Sequence, residues 1–200
     1  MKGDSHMKKN KPKYKQIIDA AVVVIAEHGY HQAQVSKIAK QAGVADGTIY
    51  LYFKNKEDIL ISLFQEKMRI FIEYIEELIA GKQSASEQLF LMIEHHFRVL
   101  ADNHNLAVVT QLEIRQTNKD LRLKINGILK EYLSLVDEII SRGMEKGEIN
   151  SDLDVRLVRQ MIFGTIDETV TTWVMNEEKY DLVALAPQVH KLLLNGCGAV

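Results

Sequence analysis

Residues 36–55, SKIAKQAGVADGTIYLYFKN, constrain the fold of this chain more than any other stretch. Ile38, Ala39 and Ala42 make an apolar stripe at helical spacing, small enough for close packing. Gly43 sits where a helix can stop on a left-handed residue, with Val44 as the packing residue just beyond. Thr48, Ile49, Tyr50 and Tyr52 follow on a short second helix, and Phe53 closes the unit. Two short helices around a Gly-centred turn are the layout of a helix-turn-helix, whose second helix lies in the major groove while the first crosses the DNA backbone. Upstream, Pro12 is placed as a helix-starting proline, and Ile17, Ile18, Ala21, Val22, Ile25 and Ala26 form a buried face ending at Gly29. This helix braces the other two, giving a three-helix head over residues 8–54.

Charge follows the same division. Residues 8–56 carry nine Lys against three acids, while residues 57–200 carry fifteen Lys and Arg against twenty-three acids, a balance of +6 beside one of −8. A basic head gains affinity for phosphates by releasing counterions, and an acidic body is repelled by them. Lys37, Lys54 and Lys56 are the phosphate-contact candidates of the motif, and Gly47, Thr48, Tyr50 and Tyr52 its groove candidates.

The rest of the chain reads as helix. Asn55 with Asp58 resembles a capping box and opens a long helix to Ala80; Ser84 with Glu87 opens another carrying Leu89, Ile93, His96, Phe97 and Leu100 on one face. Asn103-His104-Asn105 interrupts it before a segment from Leu106 to about Gln116. Asn118 caps the next, which runs to Gly143. The helix over 153–175 is apolar nearly all round, and the last covers about 182–194. A helix with no wet face is buried on several sides; here that means a packed interior on one side and a second subunit on the other, with Gly164 allowing close approach and Trp173 at or beside the interface. No strand is expected, so the chain is all-α, with residues 55–200 forming a helical ligand-binding and dimerisation domain behind the head. Residues 1–7 contain GDSHM, which looks like a tag remnant. No apolar stretch reaches membrane-spanning length and no signal-peptide pattern precedes the fold, and Cys197 alone builds no disulfide framework; a cytoplasmic setting fits.

The run of Ile38-Ala39, Ala42-Gly43-Val44, Gly47-Thr48-Ile49-Tyr50, Tyr52-Phe53 and Lys56-Glu57 resembles the DNA-binding signature of TetR-family repressors. Gln34 and Ala45 depart from it, standing where that family places Ser or Thr as helix caps. A lost cap costs about 1 kcal/mol, so Ser36 and Asp46 cap instead or tertiary packing carries the helices. Further along, NLAVVTQLEIRQ (105–116) and DVRLVRQMIFGTIDETVTTWVM (154–175) resemble the branch of the family that represses fatty-acid β-oxidation genes in bacilli. The resemblance implies a homodimer on a palindromic double-stranded DNA operator, released by long-chain acyl-CoA as effector, with no cofactor and no enzymatic activity. Within the family, a sensor of drugs controlling efflux genes is the alternative.

An alkyl chain implies an apolar tunnel, for which Phe71, Ile93, His96, Phe97, Met161 and Phe163 are the wall candidates. CoA phosphates imply a basic rim, for which Arg98, Arg115, Lys119 and Arg122 are the candidates. Asp167 and Glu168, carboxylates on an apolar helix, must be paired or face a cavity; an Arg across a dimer and a pocket role both satisfy that. The neighbours His95 and His96 point about 100° apart on a helix and do not share an ion, and no metal site is expected.

Overall fold

The computed structural model describes residues 12–196 and contains nine α-helices among them, with no strand. The head is α1 (Pro12–Gln32), α2 (Val35–Gln41) and α3 (Asp46–Ile49); the body is α4 (Lys56–Ile79), α5 (Ala85–Ala101), α6 (His104–Leu112), α7 (Lys119–Glu145), α8 (Val155–Met175), a 3-10 turn (Val183–Leu185) and α9 (Ala186–Asn195). The stretch with the tag-like sequence, residues 1–7, and Cys197 lie outside the described residues.

In the head, Ile17, Ile18 and Ile25 of α1 close over Ile38, Ile49 and Phe53, all essentially inaccessible to solvent. Gly43 has φ +61°, and the N–H groups of Gly43 and Val44 donate to the carbonyls of Lys40 and Ala39 at 3.1 and 3.0 Å. That pair of bonds is a Schellman closure, which only a residue tolerant of the left-handed region makes without strain. Gln34 and Ala45 occupy the N-cap positions of α2 and α3 with no side-chain hydrogen bond. Both helices therefore depend on packing; Ser36 and Asp46 do not take over the caps. The recognition helix is shorter than expected, with Tyr50 to Tyr52 in the turn that follows α3.

The expected caps at Asn55, Ser84 and Asn118 are present, and Asp154 supplies a fourth. Asn55, Ser84, Asn118 and Asp154 accept from the N–H of Asp58, Glu87, Leu121 and Leu157 at 2.8, 3.3, 3.0 and 3.0 Å. Helix α5 is the central element, packed against α4, α6, α7, α8 and α9. Helix α8, expected to be buried on several sides, buries one stripe only: Ile162, Ile166, Val170 and Trp173. Trp173 belongs to this inner stripe and donates from Nε1 to the Tyr180 carbonyl at 2.8 Å. On the outer side Leu157, Met161 and Met175 are 54%, 61% and 66% exposed.

Two departures concern the contact between head and body, which runs through α1 against α6 and α4. Helix α1 continues to Gln32 across a break at Gly29, where φ is +71°. Helix α6 ends at Leu112 instead of near Gln116. The two breaks are linked: the Tyr30 N–H, released from helical bonding by the break, donates to the Glu113 carboxylate at 2.9 Å. The Gln116 side chain donates to both the carbonyl and the carboxylate of Glu113, at 2.8 and 2.9 Å. Side-chain bonds of this kind offer the backbone an alternative to another helical turn.

Candidate functional site

The structure places the DNA-contact candidates of the head on two kinds of surface. Gly47 and Tyr50 are exposed, Tyr50 at 58%, and Lys37 and Lys54 reach solvent. Thr48 is half-buried. Tyr52 is displaced from the expected surface: its ring packs against Tyr14 and Phe53, with centroids 6.5 and 6.4 Å apart. It belongs to the head's aromatic core, which also holds Tyr14 stacked on Phe53 at 5.2 Å. Lys56 is also redirected. Its Nζ donates to the His31 carbonyl at 2.8 Å and lies 4.8 Å from the Tyr30 ring centroid, so it ties the start of α4 to the end of α1. Leu51, which the sequence reading passed over, is 67% exposed beside Tyr50. A solvent-facing Leu between two tyrosines fits methyl contacts in a groove, but in sequence it is indistinguishable from a core residue.

The body encloses an apolar cavity between α4, α5, α6, α7 and α8. Its wall includes Phe64, Met68, Phe71, Leu100, Leu106, Ile114, Tyr132 and Phe163, with about 640 Å³ of unfilled space including its opening. Phe64, Met68 and Phe71 fall on one face of α4 at helical spacing, a pattern visible in the sequence. His96 is buried against the wall, its Nδ1 3.2 Å from the Tyr132 hydroxyl. Burial pushes the His96 pKa down to about 4, so the imidazole is neutral and serves as one half of a satisfied polar pair. Burial likewise pushes the Tyr132 hydroxyl well above its usual range.

Beside this cavity lies a second, more open one, lined by Ile114, Arg115, Gln116, Thr117, Arg122 and Asn126 among others. Ile114, Leu129, Phe163 and Asp167 line both, and so form the boundary, or waist, at which the two meet. At the waist, Arg115 Nη2 meets Asp167 Oδ2 at 2.5 Å, and Arg115 Nη1 donates to the Gln111 carbonyl at 2.8 Å. The partner of Asp167 is therefore in its own chain, and the carboxylate also faces the cavity, which joins the two readings of that residue. Burial raises the Asp167 pKa while Arg115 opposes the rise. Arg122 Nη1 donates to the carbonyls of Gln116 and Thr117 at 3.1 and 3.3 Å, holding the 113–118 loop at the mouth.

Of the ten expected ligand residues, the structure brings Phe71, His96 and Phe163 to the apolar cavity and Arg115 and Arg122 to its mouth. The other five lie elsewhere. Ile93 and Phe97 are fully buried on faces of α5 turned away from the cavity, filling the core. Arg98 is exposed and paired with Glu94 on its own helix at 2.8 Å. Lys119 opens α7 with its side chain in solvent, off the mouth. Met161 is on the outer face of α8, one turn from Leu157, because the inner stripe of that helix passes through Ile162 and Ile166. Among the described residues no group of three His, Cys, Asp or Glu side chains is placed to hold a metal.

Comparison with known proteins adds to this geometry. Residues 17–63 match the bacterial regulatory proteins of the tetR family, and residues 64–196 match the C-terminal region of YsiA-like proteins. The chain is 70% identical over 190 residues to the fatty acid metabolism regulator protein of Bacillus subtilis (strain 168), covering 95% of this chain and 98% of that relative. The crystal structure of the transcriptional regulator FadR from Bacillus subtilis in complex with stearoyl-CoA superposes with a TM-score of 0.91 at 69% identity, over 92% of this chain and 100% of that one. The fatty acid degradation regulator FadR from Bacillus halodurans gives the same TM-score of 0.91 at 62% identity, again over 92% and 100%.

Proposed function

This chain belongs to the TetR family of bacterial regulators, and from that premise we propose that it is a repressor of fatty-acid β-oxidation genes, released from its operator by long-chain acyl-CoA. One observation carries the proposal: an apolar cavity that shares a wall with a second, more open one holding two guanidinium groups, in a chain 70% identical to a fatty acid metabolism regulator. The cavity wall suits an alkyl chain, and each buried methylene contributes about 0.8 kcal/mol. The exposed sides of Arg115 and Arg122 suit phosphate groups, which planar guanidinium forks bind in two-point fashion. The relative whose structure holds stearoyl-CoA supports this reading over a sensor of drugs.

In the head, Tyr50 with Leu51 on one side and Gly47 with Thr48 on the other would meet the groove, and Lys37 and Lys54 the phosphates. The molecule acts as a homodimer, which a two-fold operator requires. Leu157, Met161, Gly164 and Met175 on the outer face of α8, with Leu192 of α9, form the apolar surface that a second copy covers. No helix among the described residues is long and apolar enough to cross a membrane, and a regulator that reads DNA works in the cytoplasm.

Native mass spectrometry of protein purified from bacterial cells tests the ligand class. The expected spectrum is a dimer carrying added mass that collision releases as long-chain acyl-CoA. A dimer that takes up no acyl-CoA, even when it is supplied in excess, overturns the reading.

A further inference from the structure

The waist between the two cavities holds an unusual group for a site that receives a fatty chain. Asp167 lines both cavities, and its side chain is only 17% exposed. It is held at both oxygens: Oδ2 by Arg115 at 2.5 Å, and Oδ1 by the Gln111 amide at 3.0 Å once that amide is turned with its nitrogen toward the carboxylate. In the same orientation the Gln111 nitrogen also meets the Thr171 hydroxyl at 2.9 Å. The carboxylate is thus fixed and cannot swing aside for an incoming group.

An alkyl chain that fills the inner cavity, with a phosphate-bearing group at the mouth, puts the bond between the two parts of the ligand at this waist. In an acyl-CoA that bond is an uncharged thioester. In a free fatty acid the same position carries a carboxylate. We propose that Asp167 is the residue that makes this sensor blind to free fatty acids: its fixed negative charge at the waist rejects a ligand carboxylate and admits a neutral thioester. The proposal rests on the acyl-CoA reading above and deepens it by naming what distinguishes the ester from the acid.

Arg115 does not undo this selection. Its guanidinium is already engaged by Asp167 and by the Gln111 carbonyl, so an arriving carboxylate finds no free cation to pair with and still faces the aspartate that lines both cavities. Removing the aspartate charge changes two things at once. It deletes a like charge, and it leaves the Arg115 guanidinium as an open partner for the acid. Two unit charges about 6 Å apart at an effective dielectric of about 20 correspond to about a hundredfold in affinity. A basic rim alone, without Asp167, favours CoA through its phosphates but also attracts the free acid. Discrimination between the two needs a negative element, a common device where attraction alone cannot separate related ligands.

The test is isothermal titration calorimetry of the intact protein with myristoyl-CoA and with myristate, for the wild type, Asp167→Asn and Asp167→Glu. The wild type is expected to bind the ester and ignore the acid. In Asp167→Asn the ester-to-acid affinity ratio is expected to fall about a hundredfold, whereas Asp167→Glu, which keeps the charge, keeps the preference. A ratio unchanged in Asp167→Asn, with the ester still bound, overturns the proposal and leaves the acyl-CoA reading standing. Failure of the wild type to bind either ligand overturns that reading, and the proposal with it. Should Asp167→Asn not fold, the wild type is titrated with tetradecanamide, whose head is neutral. Binding far tighter than that of myristate is then the expected result, and binding no tighter than the acid overturns the proposal.

Discussion

Glu113→Ala is expected to loosen the joint between the DNA-reading head and the body, because one carboxylate closes both helix breaks there. Tyr30 is 8% exposed, and its N–H has the Glu113 Oε1 as acceptor at 2.9 Å. Truncation leaves that donor without a partner, and a buried backbone donor so orphaned costs about 1–3 kcal/mol. Gln116, 5% exposed, loses one of its two acceptors and keeps the Glu113 carbonyl; its own Oε1 is already without a partner in the protein. The sum is about 2 kcal/mol, which for a chain of this size lowers Tm by about 4–8 °C. Circular dichroism melts at one fixed protein concentration measure the shift, since a dimer's Tm depends on concentration. Glu113→Gln keeps an acceptor oxygen in place and is expected to lose less than half as much. Hydrogen exchange at the Tyr30 amide supplies the local readout: exchange in Glu113→Ala is expected to be faster there than in the head core. A melt unchanged from wild type together with unchanged protection at Tyr30 refutes the argument that this carboxylate holds the joint.

Three further outcomes are expected. Because the folded pKa of His96 is lowered to about 4 from an ordinary 6.5, the unfolded chain takes up a proton below pH 6.5 that the folded protein does not accept until about pH 4; stability is full above pH 6.5 and falls by about 3 kcal/mol as pH drops between the two values. Urea midpoints between pH 7 and 4 check this, and His96→Asn is expected to flatten the profile. Gly164→Leu adds a side chain whose Cβ meets nothing within 4 Å inside the protomer, so loss of dimer by light scattering, with helical content kept, assigns this face to self-association; an intact dimer counts against it. Tyr50→Ala removes a side chain 58% exposed and is expected to cost about 1–3 kcal/mol of operator affinity in fluorescence anisotropy while leaving the melt unchanged.

The parts of this molecule that were legible in sequence are those set by short-range chemistry. Gly43 announced its left-handed turn because few other residues adopt it freely, and Asn55, Ser84 and Asn118 announced three helix starts because their side chains bond the backbone three residues on. The wall residues Phe71, His96 and Phe163 were recoverable from helical spacing together with family resemblance. Ile93 and Phe97 were not separable from them, because facing the core and facing a cavity leave the same apolar stripe. Met161 was misassigned for a related reason: a helix apolar on two sides does not say which side is inner. Tyr52 and Lys56 show the limit for polar groups. A tyrosine in a recognition motif can pack against Tyr14, and a lysine can cap the His31 carbonyl, only through partners more than twenty residues away. The Tyr30–Glu113 joint spans 83 residues and left no local trace at all.

The central claim is that filling the apolar cavity with the tail of an acyl-CoA detaches the head from DNA. Anisotropy of a labelled duplex, selected by the protein from genomic fragments, measures it directly as stearoyl-CoA is added to the bound complex. The account predicts that the duplex is released at micromolar or lower stearoyl-CoA and that free CoA, lacking the chain, releases far less. A duplex that stays bound when stearoyl-CoA saturates the protein contradicts it.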